Sequence, residues 1–108
     1  MGVLPLLPIV RQDIRDVLAY TLQRYGRDKA REYAELGREA LLELARDPRS
    51  GHRRIDIHPD AWVDPIKKPG RNARHLFLYE VVESTAHIYG FIYGGRDLPA
   101  QWQDRSPQ

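Results

Sequence analysis

Tyr25-Gly26 is the feature that most limits what this chain can become, because it divides two apolar stripes of helical period with almost nothing between them. Upstream, Val10, Ile14, Val17, Leu18, Leu22 and Tyr25 recur at helical spacings, with Arg11, Arg15, Asp16 and Arg24 outside the stripe. Downstream, a second stripe begins near Asp28 and runs through Ala30, Tyr33, Ala34, Gly37, Ala40, Leu41 and Leu44. A glycine at the junction can take the left-handed conformation that ends a helix. So short a turn leaves two helices little choice but to double back as an antiparallel hairpin.

The first helix is expected over Ile9–Tyr25, with Pro8 in its first turn, where a missing N–H costs little. The second ends before Pro48, since a residue preceding proline is pushed out of the helical region. Gly37 costs that helix about 1 kcal/mol relative to alanine. Its place on the apolar stripe predicts a close helix–helix approach.

Beyond Pro48 the period changes to two. Arg49–Gly51 is expected as a turn, and Arg53–Ile57 and Ala61–Ile66 as strands separated by His58-Pro59-Asp60. Lys67–Asn72 is a basic loop. His75–Val82 (HLFLYEVV) and Ala86–Tyr93 (AHIYGFIY) form a hairpin around Glu83-Ser84-Thr85, and both are apolar on both faces, which predicts central strands. Leu4–Leu7 is a candidate edge strand, where Pro5 is tolerated. From Gly94 to Trp102 the chain leaves the sheet, and a short polar tail follows from about Gln103. The expected class is α+β: a short N-terminal strand, then an antiparallel helical hairpin packed on a small antiparallel sheet, in one domain over residues 1–108.

Composition removes whole classes of chemistry. With no cysteine there are no disulfides, thiolate zinc sites, iron–sulfur clusters or cysteine nucleophiles. The four histidines, His52, His58, His75 and His87, lack metal-ligand spacing, and neither metal nor cofactor is expected. Walker, GxGxxG, HExxH and GxSxG motifs are missing. Met1–Val10 is apolar but lacks a basic start and is too short to span a bilayer, so a cytoplasmic protein without membrane contact is expected. A net charge of +2 permits nucleic acid or an acidic partner without specifying either. Asp13 and Asp16, set among arginines on the first helix, read as a solvated face.

One cluster carries possible chemistry. Lys67, Lys68, Arg71, Arg74 and His75 lead into the strongest strand, and Arg96 follows the last one, with Tyr79, Tyr89, Tyr93 and Trp102 in the same region of sequence. Cations interleaved with rings suit RNA, where they meet phosphates and unpaired bases. A metal-free nuclease needs a proton acceptor, a proton donor and cations to steady a phosphorane. The plainer reading is a basic loop beside an aromatic sheet face that binds protein.

Several strings resemble the RelE/ParE toxin superfamily. IRDVLAYTLQRYGRDKAREYAELGREALLELARDPRSG, Ile14–Gly51, is similar to the ParE helical hairpin, through Tyr25-Gly26, Ala30, Tyr33, Leu36, Leu44, Pro48 and Gly51. RHLFLY, Arg74–Tyr79, resembles the family's strand, and IYGFIYGGRDLP, Ile88–Pro99, its final strand and arginine–aspartate exit. The resemblance covers about Leu6–Leu98. It implies the toxin of a type II toxin–antitoxin system, neutralised by a cognate antitoxin and touching operator DNA only through it.

Two activities occur in that superfamily: ribosome-dependent mRNA cleavage in the RelE branch, and poisoning of DNA gyrase in the ParE branch. Where RelE-like nucleases carry an arginine three positions before the strand tyrosine, this chain has Leu76. Arg96 matches their second arginine, Trp102 stands at their late aromatic position, and Lys67 and Lys68 stand for their preceding basic residues. Arg74-His75 is more like ParE, although Gly90 and Tyr93 replace an arginine and a histidine common there. The expectation is a gyrase-binding toxin, with an mRNA endonuclease using Arg74, His75, Arg96 and Lys67 as the alternative. Target contacts are expected at Lys68, Arg71, Tyr93, Arg96 and Trp102. The antitoxin is expected to dock between the hairpin and the sheet edge, near Tyr33 and Leu36.

Overall fold

A computed structural model of the chain describes residues 5–67 and 74–107. Helix α1 spans Pro8–Tyr25 and α2 spans Arg27–Arg46. Gly26 alone joins them, at φ 93° and ψ 176°. Its φ is positive, as the sequence requires, but its ψ lies outside the left-handed helical basin, in a region essentially open only to glycine. Asp47 then accepts a hydrogen bond from the Arg49 amide and opens a 3-10 turn over Pro48–Ser50.

Four strands follow, β1 His52–Arg53, β2 Trp62–Pro65, β3 His75–Val82 and β4 Thr85–Tyr93, paired antiparallel in sequence order. The expected strand Arg53–Ile57 is mostly a turn, because the Ile57 and His58 amides both bond back to the Arg54 carbonyl. The β3–β4 hairpin turns on Glu83 and Ser84, both at positive φ, as a tight two-residue hairpin loop demands. No strand forms at residues 5–7; Leu7 is extended and serves as the N-cap of α1, and Leu4 lies outside the described residues.

Both faces of the sheet are covered. On one side Phe77, Tyr79, Ile88 and Phe91 pack with Val10 of α1 and Leu44 of α2. On the other, Leu76, Leu78, Tyr89 and Ile92 pack with Ile57, Ala61, Leu98 and Trp102. Leu98 and Trp102 belong to a third helix, α3, Leu98–Arg105, capped at its N-terminus by the Asp97 carboxylate on the Ala100 amide. The segment expected to trail away therefore folds back and covers the second face, and residues 103–105 are helix rather than tail. This explains why β3 and β4 read as apolar throughout.

A further correction concerns β4, which is an edge strand among the described residues. A bulge at Tyr89, between the Leu78–Gly90 and Tyr79–Ile88 pairs, shifts the side-chain parity of β4. Ile88 and Phe91, three residues apart, thereby share the face toward α1 and α2. Among the described residues no helix is long and apolar enough to cross a membrane.

Candidate functional site

The end of β2, the start of β3 and the end of β4 lie together. His75 pairs with Tyr93, and its carbonyl accepts from the Ile66 amide. That end of the sheet brings together Arg74, His75 and Tyr93. The helical hairpin delivers Tyr33 to the same place. Tyr33 Oη lies 2.6 Å from His75 Nδ1, and the two rings meet edge to face with centroids 5.5 Å apart. His75 also stacks on Phe91 and meets Tyr93 edge-on, so its ring is held on three sides.

Burial, reinforced by the Arg74 charge, holds the His75 imidazole below its ordinary value. Burial raises the Tyr33 phenol, with Arg74 opposing it. The two shifts agree on one arrangement. Both groups are held neutral, and a neutral imidazole shares one hydrogen bond with the Tyr33 hydroxyl at Nδ1. Tyr25, at the end of α1, is pulled below its ordinary value by hydrogen bonds from Arg24 and then Arg74.

Two clefts open on either side of Tyr33. The first, of about 300 Å³, is lined by Tyr20, Thr21, Tyr25, Lys29, Tyr33, Arg74 and His75. The second, of about 320 Å³, is an apolar trough between the helices, walled by Ile14 and Leu18 of α1 and by Ala34, Gly37 and Leu41 of α2, with Phe77 and Phe91 beside them. A Cβ on Gly37 would meet nothing within 4 Å. Gly37 therefore marks a gap, and the close helix–helix approach expected there does not occur.

The remaining expected site residues scatter. Lys67 reaches Glu43 of α2 at 3.4 Å, on the far side of Leu36 from Tyr33. Arg96 is exposed just past β4. Tyr93 is half exposed beside His75. Leu36 is partly buried against the core. Lys68 and Arg71 lie outside the described residues. Trp102 is a correction: it is buried on the opposite face of the sheet, between His58 and Tyr89, away from the other candidates. Leu76 is buried on that same face, so the arginine position of the nuclease pattern is part of the core.

Asp13 is a further correction. Its carboxylate takes Arg105 Nη1 at 2.6 Å and Nη2 at 3.1 Å, and also accepts from the Phe91 amide. Asp16, by contrast, is exposed and bonded to Gln12. Charge pattern alone could not separate these two aspartates, because Arg105 lies 92 residues away in sequence. Tyr20, Tyr25 and Lys29 were likewise missed; the exposed tyrosines near the end of α1 were their only signal.

Asp64 is a buried carboxyl with its pKa raised to about 6, by burial first and by Glu43 second. Among the described residues no group of three or more histidines or acids is arranged to hold a metal. No family model matches the chain, and no curated protein matches it.

Proposed function

We propose that this chain is the toxin of a type II toxin–antitoxin pair, of the ParE branch of the RelE/ParE superfamily, and that it inhibits DNA gyrase by direct binding. The resemblance of Ile14–Gly51, Arg74–Tyr79 and Ile88–Pro99 to that family supports the reading. The observation that carries it is the trough between α1 and α2. The domain closes its core over Phe77 and Phe91, yet leaves Ile14, Leu18 and Leu41 only partly covered around an open gap at Gly37. An amphipathic helix laid into that gap would bury its apolar face there. The cognate antitoxin is the partner of that description, with Tyr33 as the wall shared between the trough and the neighbouring cleft and Leu36 further along α2.

Gyrase is met, on this reading, by the exposed end of the sheet at Tyr93, Arg74 and Arg96, together with Lys68 and Arg71. Operator DNA is reached only through the antitoxin, and the work is done in the cytoplasm. Expression of the chain alone should arrest growth. Co-expression of a cognate antitoxin should relieve the arrest, and an expressed chain that leaves growth unchanged contradicts the proposal.

The Tyr33–His75 pair beside Arg74 favours a second reading, a ribosome-dependent mRNA endonuclease in which His75 moves a proton and Arg74 steadies the phosphate. Mapping mRNA 5′ ends after expression separates the two. Cuts in register with codons support the nuclease, and intact messages remove it.

A further inference from the structure

We propose that the cleft between α1, α2 and the start of β3 is a binding site for a nucleoside phosphate, either free or as one unit of a single strand. The inference does not depend on the gyrase reading. It rests on what the cleft combines. Tyr20 and Tyr25 are both more than half exposed, which is unusual for rings that a chain of this size would gain by burying. Across from them stands Tyr33, its hydroxyl already committed to His75. A planar base finds aromatic surface here on both helices, and stacking of this kind is indifferent to base identity.

The charge of the cleft fits the other half of such a ligand. Lys29 and Arg74 line it, and among the described residues no acidic side chain does. Arg74 lies close enough to Tyr25 to help pull its phenol down, so a guanidinium stands in the cleft where a phosphate would meet its planar fork. Lys29 has a partner in Glu32, but at 3.5 Å and on an exposed surface, an arrangement weak enough for a phosphate to displace. His75 also lines the cleft, and burial, reinforced by Arg74, keeps its ring neutral, so it adds a polar edge without charge. The cleft volume of about 300 Å³ suits one nucleotide and excludes a folded partner.

The test is calorimetric titration of the purified chain with adenosine 5′-monophosphate, adenosine, inorganic phosphate and a six-nucleotide single strand. Saturable binding of the monophosphate, with adenosine and phosphate each at least about tenfold weaker, is the expected result. Arg74→Ala and Tyr25→Ala should each weaken it by about tenfold or more, while Arg46→Ala, which removes an equal charge at the far end of α2, should leave it unchanged. Both tested side chains are exposed, and circular dichroism of each variant shows whether the fold is kept; Tyr20→Ala serves if either loses it. A hexanucleotide that binds much more tightly than the monophosphate assigns the source as a strand, and equal affinity assigns it as the free nucleotide. The proposal is overturned if neither ligand saturates, if phosphate alone binds as well as the nucleotide, or if the Arg74 and Tyr25 variants bind normally.

Discussion

Asp13 of α1 and Arg105 of α3 form a two-pronged ion pair across the edge of β4, from opposite faces of the sheet. The pair also satisfies the strand it crosses. Asp13 accepts from the Phe91 amide, and Arg105 donates to the Tyr89 carbonyl. Gly90 lies between them, and a Cβ there would come within 2.9 Å of Arg105 Nη1 and 2.7 Å of Ile92 Cδ1. The glycine that departs from the ParE pattern thus has a local cause. It makes room for the guanidinium, and the clasp in turn blocks part of an edge open to strand pairing.

Breaking this clasp should be costly. The side chains are only 14% and 15% exposed, so removing one partner strands a largely desolvated charge. Asp13→Ala and Arg105→Ala should each destabilise by about 2–4 kcal/mol, and the double variant by clearly less than their sum. Gly90→Ala should destabilise as well. Urea denaturation of the four variants is the check, and additive losses at Asp13 and Arg105 would show that the two do not act as a pair.

Gly37 tests the trough. Because its added Cβ meets open space and it sits within α2, Gly37→Ala should raise stability by about 0.5–1 kcal/mol, by thermal or urea unfolding. Gly37→Trp should fill the gap. On the proposed function it keeps growth arrest but escapes the antitoxin, and normal neutralisation of that variant would place the antitoxin elsewhere.

The hairpin was legible because its information is local. The stripe from Val10 to Tyr25, the break at Gly26 and the stop before Pro48 each act within a turn or two, and α1 and α2 fall within about two residues of where the pattern puts them. The long hairpin of β3 and β4 was legible for the same reason. What escaped depends on distant pairs. The apolar faces of β3 and β4 require two covers, but nothing in Gly94–Gln108 announces that the second is α3. The bulge at Tyr89 hides the alternation of β4. At the site, Arg74 and His75 were readable as a basic entry to a strand, whereas the meeting of Tyr33 with His75 spans 42 residues and appears only in the fold. Trp102 was misplaced because an aromatic near a basic segment in sequence was taken as near it in space.

His75 provides a pH test. Its imidazole is depressed below 6.5 by burial and then by Arg74, so the folded state takes up its proton at lower pH than the unfolded chain. That contribution to stability is present above pH about 6.5 and is lost as pH falls through the depressed folded value. In NMR titrations Arg74→Ala should move the His75 midpoint upward, yet leave it below 6.5, because burial remains. A midpoint unmoved by the substitution would remove Arg74 from the account of that site.

Asp64 has the opposite sign. Its folded pKa is raised from 3.8 to about 6, so its favourable contribution is complete below pH 3.8 and disappears as pH rises through 6. Above that, the fold carries a buried charge. Asp64→Asn should therefore stabilise the protein at pH 8 by about 1–3 kcal/mol and make little difference near pH 4. Unfolding midpoints at the two pH values decide it, and an equal effect at both would mean that ionisation of Asp64 is not the cause.

The central claim, that the chain poisons gyrase by binding it, is tested most directly by supercoiling of relaxed plasmid with purified gyrase and increasing amounts of the purified chain. The account predicts that supercoiling falls with toxin concentration and is restored by prior addition of the cognate antitoxin. Unchanged supercoiling at a large molar excess of folded protein would contradict it.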